Sequence, residues 1–349
     1  MDELNLVLSE FDGKSILDWN VTLDIKGAKK YILVAGIDYH TGNSFIKYCN
    51  DYKAKIIANN KSKEDLTFII IDMKGTIETI DNGKSISVEN YDKISKANYP
   101  ASKGHGFDSL GKSKYVTKKS IYEIVEKIGT DDPNTLQEVN VFSHSYALGP
   151  ILGNSRETDA IDLDMRVNDV KNKTFDYAKF QKAFTPTGLV KIWGCNMNRF
   201  TNNLIKQIMK SSKYLRDGKT SDSTIFTIKD TLFQNGDGTQ HSVSEYIYTD
   251  CRTAPKNGLF QMTMLQVKKQ FARNYWDSYP AWLSNNCNIK VLSALPSTYA
   301  LFSSPDLFRI SDDTRGNINF FEKYLKITIG EHNYGIYDQS TVQEMLKFG

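Results

Sequence analysis

Val139-Asn140-Val141-Phe142-Ser143-His144-Ser145 is a mostly apolar stretch that runs into a histidine, and Leu189-Val190-Lys191-Ile192-Trp193-Gly194-Cys195 is a second one that ends in a cysteine. Each has the length and character of a buried β-strand. Cys195 lies 51 residues after His144, which leaves room for a loop and a helix, so the two strands can be parallel neighbours. Because parallel strands end at one edge of their sheet, we predict that the thiol and the imidazole converge there as a nucleophile and its base.

Alternating strands and helices surround this pair. The sequence predicts an α/β fold, a three-layer sandwich with a mostly parallel central sheet. We expect an α/β domain over residues 1–305 and a C-terminal extension over 306–349 that packs on it and contains a small β-hairpin. The predicted strands cover 30–37, 66–72 and 289–296, the predicted helices cover 43–60, 118–128, 177–184, 200–209 and 261–279, the hairpin covers 324–337, and residues 81–115 are expected to form an irregular loop.

The amino-acid composition argues against several classes of function. The 349 residues include 44 basic and 41 acidic side chains, and this near balance argues against nucleic-acid or membrane binding. No apolar run approaches the ~20 residues of a membrane span, and the acidic start lacks the apolar core of a secretory signal. Four scattered cysteines without a CxxC pair predict neither a disulfide framework nor a zinc site. We therefore expect a cytoplasmic protein without a metal or cofactor.

Three blocks stand in an order that a known family shows. Gly36-Ile37-Asp38-Tyr39 follows the first predicted strand, Phe142-Ser143-His144 ends a later one, and Ile192-Trp193-Gly194-Cys195 ends the next. Over residues 30–210 the chain resembles the caspase-like cysteine peptidases, the group that includes legumains, separases and gingipains. The resemblance implies a cysteine endopeptidase that cleaves peptides or proteins through a thioester, and a protein that is often latent until it is cleaved or engaged by a regulatory partner.

The resemblance also assigns roles to residues. His144 is implied as the general base and Cys195 as the nucleophile, with the backbone N–H groups of Ser145 and Cys195 holding the oxyanion. The helix expected from about Asn196 would place its positive end near the sulfur. One residue departs from the family pattern, since Ser145 stands where the family has glycine. Serine can donate the same N–H, but its side chain crowds the site.

Two other readings stay open. The first is a binding module that kept a caspase-like fold and lost turnover, which Ser145 favours. The second is a serine hydrolase, because Ser143-His144-Ser145-Tyr146-Ala147 superficially resembles the G-x-S-x-G nucleophile elbow. Both glycines of that motif are replaced by larger residues here. Such an enzyme would use Ser145 with His332 or His241 as the base, and Asp159, Asp162 or Asp164 as the acid.

Secondary candidates lie elsewhere in the chain. The acidic loop with Asp159, Asp162 and Asp164 lies near the substrate cleft in the family, which implies a preference for basic side chains, although a solvated surface loop explains it better. The loop lacks the spacing and the glycine of an EF-hand calcium site. Cys251 is the second-choice thiol. His105 stands in a Gly-His-Gly segment without a preceding strand and is interpreted as part of a flexible loop.

Overall fold

The computed structural model describes residues 28–94, 112–157, 162–234, 238–303 and 307–349. These residues form strands that the chain visits in the order β1 Lys29–Ala35, β2 Leu66–Asp72, β3 Thr76–Asp81, β4 Lys84–Asn90, β5 Leu136–Phe142, β6 His144–Tyr146, β7 Gly149–Ile151, β8 Phe184–Trp193, β9 Ile225–Lys229, β10 Leu232–Gln234, β11 Gln240–Ser242, β12 Leu259–Thr263, β13 Lys290–Ser293, β14 Ala300–Ser303, β15 Leu307–Ile310 and β16 Gly335–Tyr337.

Helices alternate with these strands along the chain. Their bounds are α1 Ile46–Asn59, α2 Lys118–Asp131, α3 Val167–Lys171, α4 Tyr177–Ala183, α5 Arg199–Lys210, α6 Met264–Trp276, α7 Tyr279–Cys287, α8 Arg315–Tyr324 and α9 Gln339–Phe348. Among the residues placed in the structure, no helix has the length and apolar content needed to cross a membrane.

One sheet of eight strands, in the order β16-β13-β8-β5-β1-β2-β3-β4, organises the molecule. The five strands from β13 to β2 run parallel to one another. At one edge β16 pairs antiparallel with β13, and at the other β3 pairs antiparallel with β2 and β4 pairs antiparallel with β3. Parallel strands need helical crossovers, and these helices cover the faces of the sheet. The predicted α/β fold with a mostly parallel central sheet is confirmed.

The three layers follow from the side chains of β1. Ile32 and Val34 point into one apolar cluster, built largely with α2, α4, α5, α6 and α7. Tyr31, Leu33 and Ala35 point into the other, which contains buried residues of α1 and of the β14–β15 hairpin. Because successive strand residues face opposite sides, a strand that is apolar throughout must be covered on both faces.

Two parts of the secondary-structure prediction were wrong. The loop predicted from residue 81 contains strand β4, which pairs with β3 around a turn at Asn82 and Gly83, both at positive φ. Asn-Gly between alternating residues is a strong hairpin signal, and here it was available in the sequence. The helix predicted over 261–279 begins only at Met264, because the preceding residues form β12 against β9. Residues 95–111, which complete the predicted loop and contain His105, lie outside the described residues.

The C-terminal section contributes to the central sheet. The predicted turn at 330–333 is present, and Gly330 donates from its N–H to the Tyr334 carbonyl, with a short antiparallel bridge between Ile329 and Gly335. The strand after the turn, β16, pairs with β13 of the main sheet. The boundary at residue 305 stays a prediction.

Candidate active site

Strands β5 and β8 bring the predicted histidine and cysteine to the same edge of the sheet. The two strands are parallel neighbours, and their register pairs Phe142 with Trp193. His144 and Cys195 each lie two residues beyond this pair. The backbone therefore delivers both at the same height, at the carboxyl ends of adjacent strands.

Gly194 shows how closely the two strand ends approach. A Cβ atom added to Gly194 would lie 2.6 Å from the Cβ of Ser145 and 2.8 Å from the carbonyl oxygen of Ser143. Real Cβ atoms do not tolerate such distances, so glycine is required here by contact rather than by backbone angle. The residue before the cysteine thus packs directly against the residues that flank the histidine.

Asp38, which follows β1, holds the imidazole of His144. The Nε2 atom of His144 lies 3.0 Å from Oδ1 of Asp38, and both side chains are largely buried. Asp38 also accepts hydrogen bonds from the backbone N–H of His40 and the hydroxyl of Thr41, at 2.9 and 2.8 Å. These contacts fix the carboxylate, which in turn fixes the orientation of the ring.

Aromatic rings enclose His144 on its other sides. The ring of Tyr39 lies 4.4 Å away between centroids, Phe45 lies 5.6 Å away, and Phe302 approaches edge-on at 5.2 Å. His40 adds a second imidazole at 5.5 Å. The imidazole of His144 is therefore surrounded mostly by aromatic rings, which restrict its access to water.

The sulfur of Cys195 contacts the backbone of β14. The N–H of Ala300 donates to Sγ at 3.3 Å, and Sγ lies 3.9 Å from the carbonyl oxygen of the same residue. Next to the cysteine, Asn196 donates from its N–H to the Thr298 carbonyl, and its own carbonyl accepts from the Ser297 N–H. The segment before β14 therefore runs beside the cysteine and holds it in place.

Burial shifts the pKa values of both groups toward their neutral forms. Burial raises the pKa of the Cys195 thiol, and the hydrogen bond from Ala300 opposes part of this shift. Burial lowers the pKa of His144 below its ordinary value, although Asp38 raises it in part. The Cys195 thiol and the His144 imidazole are therefore both uncharged at neutral pH, rather than a thiolate–imidazolium pair.

The pKa of Asp38, in contrast, shifts so as to favour the charged form. Burial alone would raise the pKa of Asp38, but the hydrogen bonds from His40, Thr41 and His144 outweigh it and hold the pKa below its ordinary value. The carboxylate is therefore charged across the neutral range. It accepts a hydrogen bond from Nε2–H of the ring. Nδ1 is therefore the unprotonated nitrogen of the neutral imidazole.

Helix α5 follows the cysteine after a short link. It begins at Arg199, one residue before the helix predicted over 200–209 and three residues after Asn196, and Asn198 caps it by accepting from the N–H groups of Phe200 and Thr201. The cap side chain therefore uses two N–H groups of the first turn. The expectation that this end of the helix stabilises charge on the sulfur stays a prediction.

The acidic loop before α3 forms an internal charge network. Asp162 pairs with Lys118 at 2.7 Å and with Arg166 at 2.8 Å. Asp164 accepts from three consecutive backbone N–H groups, over residues 152–154, while burial raises its pKa to about 6. Asp159 lies outside the described residues. Both described carboxylates are occupied by partners within the chain, and their predicted role in binding substrate stays a prediction.

The groups of the serine-hydrolase reading lie in different places. Ser145 contacts the end of β8 through Gly194. His332 packs against the indole of Trp193, and His241 pairs with Glu245 at 2.7 Å on the β10–β11 hairpin. The second-choice thiol, Cys251, is fully buried in the core cluster that contains α6 and α7.

Sequence reasoning did not single out Asp38, Ala300 or Phe302 as site residues. Asp38 was visible as a polar residue at the end of a buried strand that is spatially next to the histidine strand, and this is the signal that could have found it. Ala300 and Phe302 carry no chemical signal of their own. They reach the site because β14, which follows β13 along the chain and pairs with β15 outside the central sheet, passes beside Cys195.

Comparisons with known proteins do not identify a family for this chain. No family model matches the sequence, and no curated protein matches it. Among solved structures, the chain is similar to a secreted C11 cysteine protease from Bacteroides thetaiotaomicron in complex with an irreversible peptide inhibitor. The match has 11% identity and a TM-score of 0.25, and it covers 71% of this chain and 59% of that chain. A likeness at this level leaves function to be argued from the site itself.

Proposed function

We propose that this chain is a cysteine peptidase of the caspase-like group, with Cys195 as the nucleophile and His144 as the general base. The observation that carries the proposal is the register of β5 and β8, which pairs Phe142 with Trp193 and so aligns the two side chains at one sheet edge. The contact of Gly194 with Ser143 and Ser145 supports the same arrangement. The substrate class is a peptide or protein.

The reaction would begin from the neutral pair. As the sulfur attacks the scissile carbonyl carbon, the thiol proton passes to the unprotonated nitrogen of His144, and the carbonyl oxygen becomes an oxyanion. The N–H groups of Cys195 and Ser145 are the proposed donors to that oxygen. Collapse of the intermediate expels the amine, which takes its proton from His144, and leaves a thioester on Cys195. Water, deprotonated by His144, then hydrolyses the thioester and restores the thiol.

Asp38 is the proposed positioning residue for His144. Its carboxylate accepts from Nε2–H, so it holds the tautomer in which the other ring nitrogen is the base. It also stabilises the imidazolium that forms during acylation, since a negative charge next to a developing positive charge lowers its free energy.

A non-catalytic binding module is the second candidate, and two observations favour it. The sulfur is engaged by the backbone of Ala300, and burial raises its pKa, so the thiol is poorly ionised in this state. Ser145 stands where the resemblance calls for glycine. This reading predicts a folded protein that binds peptides without cleaving them.

Three single variants separate the candidates when they are assayed together on peptide and ester libraries. For a cysteine peptidase, Cys195→Ala should lower the hydrolysis rate by about 10³-fold or more, because no other group supplies the nucleophile. Ser145→Ala should keep much of the activity, since only its backbone N–H is used. Ser145→Gly should match or exceed the parent chain, because it removes a crowding side chain.

The contrary outcomes are specific. A dead Ser145→Ala and an active Cys195→Ala would establish the serine hydrolase. If both variants keep the hydrolytic activity of the parent chain, the active site lies elsewhere. A parent chain that binds peptides, cleaves none of them and does not react with a peptidyl electrophile at Cys195 would establish the binding module. Thermal melts of all variants exclude misfolding as the cause.

A further inference from the structure

The phenol of Tyr334 is a buried donor that has no hydrogen-bond partner among the described residues. The residue is fully buried, and its hydroxyl makes no hydrogen bond to any residue in the described part of the chain. Burying an unpaired hydroxyl costs roughly 1–3 kcal/mol, so such groups are uncommon and call for an explanation.

Other buried phenols of this fold do have partners. Tyr337 donates to the Ala294 carbonyl at 3.1 Å, and Tyr275 donates to the Ile336 carbonyl at 2.9 Å. The hydroxyls of Tyr122 and Tyr279 bond to each other at 3.0 Å. The unpaired state of Tyr334 is therefore specific to its position.

That position is next to the candidate nucleophile. The ring of Tyr334 packs edge-on against Trp193 at 5.2 Å, two residues before Cys195. Tyr334 and Ala300 belong to the same buried cluster, against which Cys195 packs from the partly exposed side. Ala300 is the residue that donates to the sulfur. The sulfur thus lies at the boundary between the cleft and the core that holds the phenol.

The protonation states of the two groups make them complementary. Burial, and next the negative charge of Cys195, raises the pKa of Tyr334 well above its ordinary value. The phenol therefore keeps its proton well above neutral pH. A neutral thiol is a weak acceptor, whereas a thiolate is a strong one, so a phenol without a partner gains one only when Cys195 loses its proton.

We propose that Tyr334 is a hydrogen-bond donor to the thiolate of Cys195, placed on the core side of the sulfur and left unpaired in the neutral state. It would lower the free energy of the ionised nucleophile from the side opposite the substrate. This inference rests on the proposed function only in taking Cys195 as the nucleophile.

The test is Tyr334→Phe, which removes the hydroxyl and keeps the ring. The ionisation of Cys195 is followed by site-resolved mass spectrometry of iodoacetamide alkylation across pH 6 to 10, without any substrate. The variant should alkylate Cys195 roughly 10- to 100-fold more slowly at neutral pH, the size of effect expected for one lost hydrogen bond to a charged group. Its melting temperature should stay the same or rise, because an unpaired buried hydroxyl has been removed.

The control is Tyr275→Phe, which also removes a buried hydroxyl, but one that is bonded to a carbonyl. It should lower the melting temperature and leave the alkylation profile of Cys195 unchanged. An unchanged Cys195 profile in Tyr334→Phe would overturn the proposal, and so would a failure of that variant to fold, because the hydroxyl would then have a structural partner. A parent chain without hydrolytic activity that still shows the shift would refute the peptidase and leave this inference standing.

Discussion

The carboxylate of Asp38 and the imidazole of His144 form an ion-pair contact between two neighbouring strand ends, with 3.0 Å between Oδ1 and Nε2. Asp38 follows β1 and His144 follows β5, and these strands are parallel partners in the sheet. The neighbouring strands β8, β5 and β1 are thus followed by a cysteine, a histidine and an aspartate, respectively, at one edge of the central sheet. The value of the Asp38–His144 contact for function is that it determines which ring nitrogen of His144 carries the proton.

We expect Asp38→Asn to lower kcat by about 10²- to 10⁴-fold, because the amide no longer holds the required tautomer or stabilises the imidazolium. The matched control is Asp72→Asn at the end of the neighbouring strand β2, where the carboxylate accepts from Ser44 at 2.7 Å. The control should keep near-parental kcat. Steady-state kinetics on a peptide substrate measures kcat for both variants. Equal losses in the two variants would mean that Asp38 has only a structural role.

The pH dependence follows from the lowered pKa of His144. Only the neutral imidazole accepts the thiol proton, so the acidic limb of kcat/KM should have its midpoint below about 6.5, the ordinary pKa of histidine. Removing the Asp38 charge removes the contribution that raises this pKa, so Asp38→Asn should move the acidic limb to still lower pH.

The same shift is measurable without a substrate. Proton NMR titration of the ring signals, with His144→Gln to assign the His144 peak, should give a midpoint below 6.5. A midpoint above that value would show that the fold stabilises the imidazolium, contrary to the neutral pair inferred from burial. The lowered pKa of His144 also affects stability: the free energy of unfolding should decrease as the pH falls through the pKa that this histidine has in the unfolded chain.

Thiol reactivity should single out Cys195 among the four cysteines. Cys49, Cys251 and Cys287 are fully buried, whereas Cys195 is partly exposed, and burial raises the pKa of all four. A buried thiol reacts only after local opening, so we expect Cys195 to alkylate at least about tenfold faster at neutral pH. Limited iodoacetamide treatment followed by peptide mapping measures the alkylation rate of each cysteine. Labelling of Cys195 no faster than that of the others would indicate an inert structural thiol.

Gly194→Ala should push apart the two strand ends. The added Cβ would meet Ser145 at 2.6 Å and a Ser143 backbone oxygen at 2.8 Å, so we expect a loss of about 1–3 kcal/mol in the free energy of unfolding and a lower alkylation rate at Cys195. Gly316→Ala is the control, because there the new atom meets only the flexible end of Met209. Denaturant melts and alkylation rates of the two variants check the expectation, and a neutral Gly194→Ala would contradict the close approach.

Much of the fold could be predicted from the local pattern of apolar residues in the sequence. The continuous apolar runs that became β1, β2, β5 and β8 are strands buried on both faces, and such runs predict a parallel sheet covered by helices. The β3–β4 hairpin was missed although Asn82-Gly83 marks it, since β4 is exposed along its whole length and has no buried face to reveal it.

The sequence by itself determined that a histidine and a cysteine end two consecutive buried strands, because strand periodicity and spacing are local properties of the chain. Tertiary structure alone decided what surrounds them. Asp38 meets His144 across 106 residues, and Ala300 meets Cys195 across 105, and neither pairing has a spacing that the sequence marks. The unpaired phenol of Tyr334 belongs to the same category. Such contacts depend on the order of strands in the sheet and on which face each loop covers, and these are settled only when the whole core packs.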